Sequence, residues 1–192
     1  MPKQKEEPDP WAKTWDARLK ALSRVLGKAQ DKVFHAFIPF DIGGFADVLT
    51  FPNFVRGRTY VTADCTGPGV GQLKSRLGNY ELMICTRKPM PDAADMISKL
   101  APFTREARLQ PGDTMEFPKR LANLKGFMFT HPKDKPLHFE FLGKRYGLLL
   151  CLGLTKDELA LAKGNGSEQL LPLLKAHAVF PYSIFDRKSV LA

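Results

Sequence analysis

The stretch Tyr80–Thr86, with the sequence YELMICT, limits the possible folds of this chain more than any other segment. Nearly all of its residues are apolar. A short run of this kind indicates a strand that is buried on both faces. We therefore expect a sheet in which this strand lies in the middle.

Other strand-like segments follow one another in runs. Many of their residues are aromatic or β-branched, and the segments cover residues 33–40, 45–51, 59–63, 124–130, 137–142 and 146–152. Residues 142–145, between the last two, are expected to form a hairpin turn. Because strands come in runs and do not alternate strictly with helices, the sequence predicts an α+β fold with a mixed, largely antiparallel central sheet flanked by helices.

An amphipathic helix is predicted before the first strand. Asp9 can cap this helix, with Pro10 in its first position. An apolar stripe starts at Trp11 and continues through Leu26, which predicts a helix to about Gln30. We expect the stripe to pack on its own domain, although its two tryptophans could instead form an exposed docking face.

Three further helices begin at recognisable residues. Pro91 opens the first, Thr155 and Glu158 have the form of a capping box for the second, and Ser167 can cap the third. Pro172 lies within the third helix and is expected in its first turns, where proline is tolerated.

The length of 192 residues suits one domain with a short extension. No repeat or linker interrupts the chain after residue 33, so residues 33–192 are expected to form the domain. Residues 1–32 are expected to form a tail, disordered over residues 1–8, and the amphipathic helix.

The three cysteines, Cys65, Cys85 and Cys151, are odd in number and form no CxxC pair. This is not a disulfide framework, and it suits a reducing cytosol. The four histidines show no ligand spacing with the cysteines, so no metal or cofactor is predicted. No signal peptide is evident, and the longest apolar run is too short for a membrane helix. We therefore expect a cytoplasmic protein with no membrane partner.

The formal net charge of +9 permits binding to nucleic acid or to an acidic protein surface. The positive residues are spread along the chain, with no block of lysine and arginine and no RNA-binding aromatic motif. A solvated basic surface is the favoured interpretation, and a weak nucleic-acid binder is an alternative.

A hydrolase-like enzyme is the other alternative. Asp64 and Cys65 follow a predicted strand, and Asp113 lies near another. Catalysis would require these groups to converge in a cleft, with a base beside the thiol. The loop of residues 66–78 contains a glycine-rich GPGVG sequence but lacks the ending of a phosphate-binding loop. It is expected to be a flexible surface loop that could also contact a ligand.

Four blocks of the sequence, taken in order, resemble the suppressor of fused family. They are similar to the family's "G-aromatic-E-L" strand ending in a basic residue, its helix and "G-D" strand, its "G-hydrophobic-T-x-E-L" block and its closing "D-x-R" segment. The corresponding residues are 78–87, 100–115, 150–159 and 186–190. The resemblance spans roughly residues 45–190 and points to a stand-alone, bacterial-type member.

The resemblance implies a protein-binding fold without a catalytic centre. The animal member restrains a transcription factor with the help of a second domain, for which this chain has no room, so that partner is not carried over. Stand-alone bacterial domains of this kind are thought to include immunity proteins that neutralise toxins. The expected function is therefore sequestration or inhibition of a protein partner, with a bacterial toxin as one candidate.

Four residues are carried over as candidate partner-binding residues. Asp113 occupies the "G-D" position, and Phe103 lies in the connection between the matching helix and strand. Arg87 ends the first block, and Arg187 lies in the closing segment, where its guanidinium could meet a partner carboxylate. For Asp113, Phe103 and Arg187 a structural role is the alternative: capping a turn, packing in the core and forming an ion pair within the chain.

Overall fold

The computed structural model describes residues 9–192, and the disorder expected for residues 1–8 lies outside that range. The elements, in chain order, are α1 (Pro10–Leu26), β1 (Val48–Phe51), β2 (Arg58–Thr62), β3 (Tyr80–Thr86), α2 (Pro91–Leu100), α3 (Phe103–Glu106), β4 (Thr114–Leu121), β5 (Leu124–Thr130), β6 (His138–Phe141), β7 (Lys144–Leu154), α4 (Lys156–Asn165) and α5 (Ser167–Ala176).

Within residues 9–192, seven strands form one sheet in the order β1-β2-β3-β7-β5-β4, with β6 paired to the first part of β7. The β3–β7 pair is parallel and the other pairs are antiparallel. The predicted α+β fold with a mixed, largely antiparallel sheet is confirmed. We call the end at which β3 begins the lower end of the sheet, and the end at which β3 finishes the upper end.

The strand expected in the middle of the sheet lies there. All seven residues of β3 are buried, and its neighbours are β2 and β7. Successive side chains of a strand point to opposite faces, so Leu82 and Ile84 pack toward α2, while Met83 and Cys85 pack on the other face.

The face of the sheet opposite α2, called the second face, carries helices at both ends of the sheet. Leu148 and Leu150 of β7 share a cluster with α1, and Leu152 and Leu154 share the next cluster with α4 and α5. With α2 on the first face, the sheet is covered on both sides. This arrangement explains why β3 and β7 have apolar residues at consecutive positions.

Helix α1 packs on the domain, as expected. Ala21, Leu22 and Leu26 are buried against the sheet. The carboxylate of Asp9 accepts a hydrogen bond from Trp11 N at 3.0 Å, which confirms the predicted cap. The helix ends at Leu26, earlier than predicted, because Gly27 adopts a φ of +89° that breaks the helical path.

The strand predicted over residues 33–40 is wrong. Only Phe34 pairs with the sheet, through an isolated bridge to Val48 at the edge of β1. Two residues after Phe34, Ala36 N donates to the Asp47 carboxylate at 2.8 Å and not to a neighbouring strand. A single turn of 3-10 helix then covers Phe40–Ile42. A side-chain acceptor thus replaces the strand ladder in this segment.

The local signals in the last third of the chain correspond to the structure. The hairpin between β6 and β7 turns at Leu142 and Gly143, which both have positive φ. At the start of α4, Thr155 N donates to the Glu158 carboxylate at 2.9 Å. Pro172 lies in the second turn of α5. Among the described residues, no helix is long and apolar enough to cross a membrane.

Candidate functional site

The four predicted partner-binding residues are spread over separate places. Asp113 immediately precedes β4 at the edge of the sheet and pairs through its backbone with β5, whereas Phe103 begins α3, which follows α2. Arg87 follows β3 and Arg187 contacts Gly153 O of β7, both at the upper end. Three strand spacings of ~4.8 Å, about 14 Å in all, separate β4, beside Asp113, from β3, which Arg87 follows. The four residues therefore do not form a single site.

Asp113 is exposed at the start of an edge strand. Its carboxylate accepts a hydrogen bond from Gln110 N at 2.9 Å, and its own N–H donates to Gln110 O at 3.0 Å. It thus stabilises the turn that leads into β4, while the rest of its carboxylate faces solvent. Phe103 is also exposed, with 37% of its surface accessible.

Strand β4 has a neighbour on one side only. Within residues 9–192 it is the terminal strand of the sheet, paired with β5. The pairing register shifts between Glu116 and Leu121, and Pro118 lies in that irregular part. A bulge and a proline both discourage uncontrolled strand pairing at an edge. The regular part, from Thr114 to Glu116, lies directly beside Asp113.

Both arginines at the upper end already have contacts within the chain. Arg87 is exposed, with its guanidinium 4.9 Å from the Tyr182 ring centroid and hydrogen-bonded to Ala178 O. Arg187 is largely buried and forms an ion pair with Glu158. Arg187 therefore forms an ion pair within the chain, which is the structural role considered for it from the sequence.

The three candidate catalytic residues do not meet. Asp64 and Cys65 follow β2, whereas Asp113 lies beside β5, three strands further across the sheet. Three strand spacings of ~4.8 Å amount to about 14 Å. Cys65 is fully buried, and burial, together with the nearby Glu81 carboxyl, raises the pKa of its thiol well above its ordinary value. A protonated, enclosed thiol is a poor nucleophile.

Glu81 is the acidic residue that holds this region together, and its partners could not be read from sequence. It is fully buried in β3 and accepts hydrogen bonds from Thr62 Oγ1 at 2.6 Å, Cys65 N at 3.1 Å, and Thr66 N and Oγ1 at 2.9 and 2.7 Å. Burial raises the pKa of Glu81, against the opposing effects of Arg18 and the threonine hydroxyls. The network is structural, since it anchors the loop after β2.

A cleft of about 400 Å³ lies beside this network, at the lower end of the sheet. We call it the tryptophan cleft. Its walls come from α1, from the segment before β1 and from the glycine-rich loop, and its lining residues are Trp11, Thr14, Trp15, Arg18, His35, Ala36, Pro39, Phe40, Asp41, Asp47, Asp64, Gly67, Pro68 and Val70. The cleft therefore joins two features of the sequence, the tryptophan pair and the glycine-rich loop.

Hydrogen bonds fix the carboxylates of Asp47 and Asp64 in the cleft. Asp47 lies 2.7 Å from His35 Nδ1, and Asp47 N donates to Asp64 Oδ2 at 2.8 Å. Arg18 donates to Thr66 O at 2.7 Å and lies 3.6 Å from Asp64. Burial raises the pKa of Asp64, and the hydrogen bond from Asp47 N opposes that rise. These contacts make the floor of the cleft rigid.

Nucleic-acid binding through the basic surface would require Arg56, Arg58, Lys74, Arg76 and Arg120 to gather on one face, and the side chain of Arg120 lies outside the described part of the structure. Arg56 and Arg58 lie at the upper end, where β2 begins, and Lys74 and Arg76 lie in the loop at the lower end. These four residues do not form a continuous track for a phosphate backbone. Among residues 9–192, no group of three or more histidine, cysteine or acidic residues could hold a metal ion.

The sequence matches the family model described as Suppressor of fused protein (SUFU) over residues 46–188. The match covers the sheet, α2 to α5 and the segment that contains Arg187, but not α1. A search of curated proteins returned no match.

Three solved structures have a similar fold. The first, described as the Sufu-Fu complex, aligns with a TM-score of 0.67 and 13% identity over 93% of this chain and 92% of that chain. The second, Drosophila Suppressor of Fused, gives 0.70 and 14% over 93% of this chain and 51% of the other. The third, a SUFU homologue from Neisseria gonorrhoeae FA 1090, gives 0.65 and 18% over 93% and 97%. This chain thus spans about half of the Drosophila chain and nearly all of the Neisseria chain.

Proposed function

This chain belongs to the suppressor of fused family, and from that membership we propose that it is a non-catalytic protein-binding domain that sequesters or inhibits a partner protein. One of the similar structures is a complex of this fold with another protein, by its description. Protein binding needs no converging catalytic groups, and Asp64, Cys65 and Asp113 do not converge.

The observation that carries the proposal is the open edge of β4 next to Asp113. An edge strand offers unpaired backbone groups to an extended segment of a partner, and a nearby side chain then adds specificity. A segment added along Thr114 to Glu116 would bring its own side chains beside the Asp113 carboxylate. A basic or hydrogen-bond-donating residue of the partner would be favoured there.

The remaining candidate residues take different parts in this proposal. Phe103 is exposed at the start of α3 and would supply an apolar contact to the partner. Arg87, also exposed, would form a second, peripheral contact at the upper end. Arg187 would act mainly by holding the closing segment in place, because its guanidinium is already paired with Glu158.

We further propose that the partner is a toxin and that this domain is the matching immunity protein, acting in the cytoplasm. The near-complete overlap with the Neisseria gonorrhoeae homologue supports a bacterial-type domain of this family. The three buried, unpaired cysteines suit a reducing compartment. An inhibitor of this kind needs a surface complementary to its target and no chemistry of its own.

The test is an affinity pull-down with the tagged protein from its own cytosol, at low and high salt and with nuclease treatment. One protein retained in stoichiometric amount at high salt is the expected result. Asp113→Asn keeps an oxygen for Gln110 N but removes the charge, and should weaken retention. Asp92→Asn, an exposed acidic residue at the start of α2, is the matched control. Recovery of nucleic acid alone would contradict the proposal.

A further inference from the structure

The tryptophan cleft lies outside the edge described above and has its own chemistry. Trp11 and Trp15 stack with ring centroids 5.6 Å apart and 13° between their planes. Trp11 nevertheless keeps 61% of its surface exposed, so the pair presents an aromatic face that the domain leaves uncovered. Flat aromatic faces are favourable contacts for the guanidinium of arginine and the ammonium of lysine.

The charge of the cleft is opposite to that of the chain. Its lining residues within the described range contribute three carboxylates, from Asp41, Asp47 and Asp64, against the one guanidinium of Arg18. The whole chain carries +9. Arg105 lies beside the cleft, where it stacks on the Phe40 ring at 3.9 Å and donates to Val70 O at 2.9 Å, so two guanidinium groups stand against the three carboxylates. A local acidic site on a basic protein selects a cationic ligand.

Arg18 is held in place within the cleft wall. Only 9% of its side chain is exposed, and its guanidinium donates to Thr66 O at 2.7 Å and lies 3.6 Å from Asp64. Its charge is therefore directed toward Asp64, which leaves Asp41 and Asp47 as the carboxylates that can meet a cationic ligand.

The rim of the cleft next to the 3-10 turn is apolar and exposed. Phe37 is fully exposed, Ile42 is 72% exposed and Ile38 is 50% exposed. They flank the lining residues Ala36 and Pro39 to Asp41 in the sequence. Exposed apolar side chains gathered beside a polar cleft are typical of an interaction site.

We propose that the tryptophan cleft binds an arginine or lysine side chain of a partner protein, presented on an extended segment with apolar neighbours. The cation lies over the tryptophan face and meets the carboxylates of Asp41 and Asp47. The apolar neighbours of the basic residue cover the rim. This inference rests on the proposed protein-binding function and adds a second contact, distinct from the edge of β4.

The two tryptophans of the chain both lie in this cleft, so their fluorescence reports on it specifically. The experiment titrates the purified full chain with acetyl-Phe-Arg-Phe-amide. The control peptide replaces arginine with citrulline, which has nearly the same shape and no charge. We expect saturable binding with a dissociation constant on the order of 1 mM, and about tenfold weaker binding of the citrulline peptide.

Variants assign the binding to the cleft. Asp41→Asn alters an exposed residue and should weaken binding of the arginine peptide about threefold, as expected for one exposed charge contact. Adding Asp47→Asn, which keeps an oxygen for Ala36 N, should extend the loss to about tenfold. Asp157→Asn, an exposed acidic residue at the start of α4, should leave binding unchanged and serves as the control.

The outcomes separate this inference from the proposed function. Equal binding of the two peptides, no saturable response, or a response only to phosphatidylserine vesicles would each overturn the basic side-chain site. If the pull-down yields a partner while these titrations fail, the inference falls and the protein-binding function stands. If the titrations succeed and the pull-down yields no partner, the cleft binds basic peptides, but the proposed protein-binding function is refuted.

Discussion

Arg187 and Glu158 form a bidentate ion pair, with 2.5 Å between Nη1 and Oε1 and 2.5 Å between Nη2 and Oε2. The carboxylate also accepts from Val190 N and Thr155 N, both at 2.9 Å. The pair therefore ties the closing segment of the chain to the start of α4. It links two blocks of the family resemblance that are separate in sequence.

Removing the arginine should cost much of the stability of the fold. Glu158 is fully buried, so Arg187→Ala leaves an uncompensated charge in the interior. We expect the free energy of unfolding, measured by urea denaturation, to fall by about 3–5 kcal/mol. Lys188→Ala, which alters an exposed neighbour, should change it by less than about 0.5 kcal/mol. Equal effects of the two variants would show that the ion pair does not stabilise the closing segment.

The same pair should give the protein a specific acid sensitivity. Burial alone would raise the pKa of Glu158, but hydrogen bonds from Arg187, Val190 N and Thr155 N outweigh it and hold the pKa below its ordinary value of 4.5. A carboxyl with a lower pKa in the folded state contributes stability above its unfolded pKa and loses it as the pH falls through the folded pKa.

Comparison with Glu158→Gln isolates this effect. The stability difference between wild type and variant should be largest at neutral pH and should narrow as the pH falls below 4.5, the ordinary pKa of this carboxyl. Urea denaturation above and below this pH measures the difference directly. A difference that stays constant with pH would rule out ionised Glu158 as the source of the stabilisation.

Glu81→Gln should also destabilise the protein, for a geometric reason. Backbone donors face both carboxylate oxygens, with Cys65 N on one and Thr66 N on the other. The amide nitrogen of glutamine would have to point at one of these donors in either orientation. We expect a loss of about 2 kcal/mol in the free energy of unfolding. Unchanged stability would indicate that Glu81 is already neutral and that the loop tolerates an amide.

The three thiols should be unreactive in the folded protein. Cys65, Cys85 and Cys151 are fully buried, and burial raises the pKa of each, to about 12 for Cys85. Maleimide labelling at mildly alkaline pH should therefore proceed only as fast as the protein unfolds. Fast, selective modification of Cys65 in the folded protein would revive the hydrolase-like alternative.

The sequence was sufficient to predict the elements whose signals are local. The apolar run of β3 identified the central strand, and Asp9, Glu158 and the residues 142–145 indicated the caps and the hairpin. The segment 33–40 has strand-like composition as well. In the structure, however, Ala36 N donates to the Asp47 carboxylate, and Phe34 is the one residue of the segment that pairs with β1. Composition could not show that competition, since Asp47 is 11 residues away from Ala36.

The candidate sites were less predictable because they depend on distant contacts. Asp113 and Phe103 were named from the family resemblance, and the open edge of β4 beside Asp113 became evident only from the strand order. The tryptophan cleft joins α1, Asp47, Asp64 and the glycine-rich loop, which lie far apart along the chain. Each part was visible in the sequence, but the sequence gives no distance between them.

The most direct test of the protein-binding function is hydrogen–deuterium exchange of the chain with and without the partner recovered in the pull-down. If a partner segment adds to the edge of β4, backbone amides of residues 113–117 should gain protection in the complex. Amides of β3, which are already buried in the sheet, should not change. A complex that protects other surfaces and leaves residues 113–117 unchanged would contradict binding at this edge.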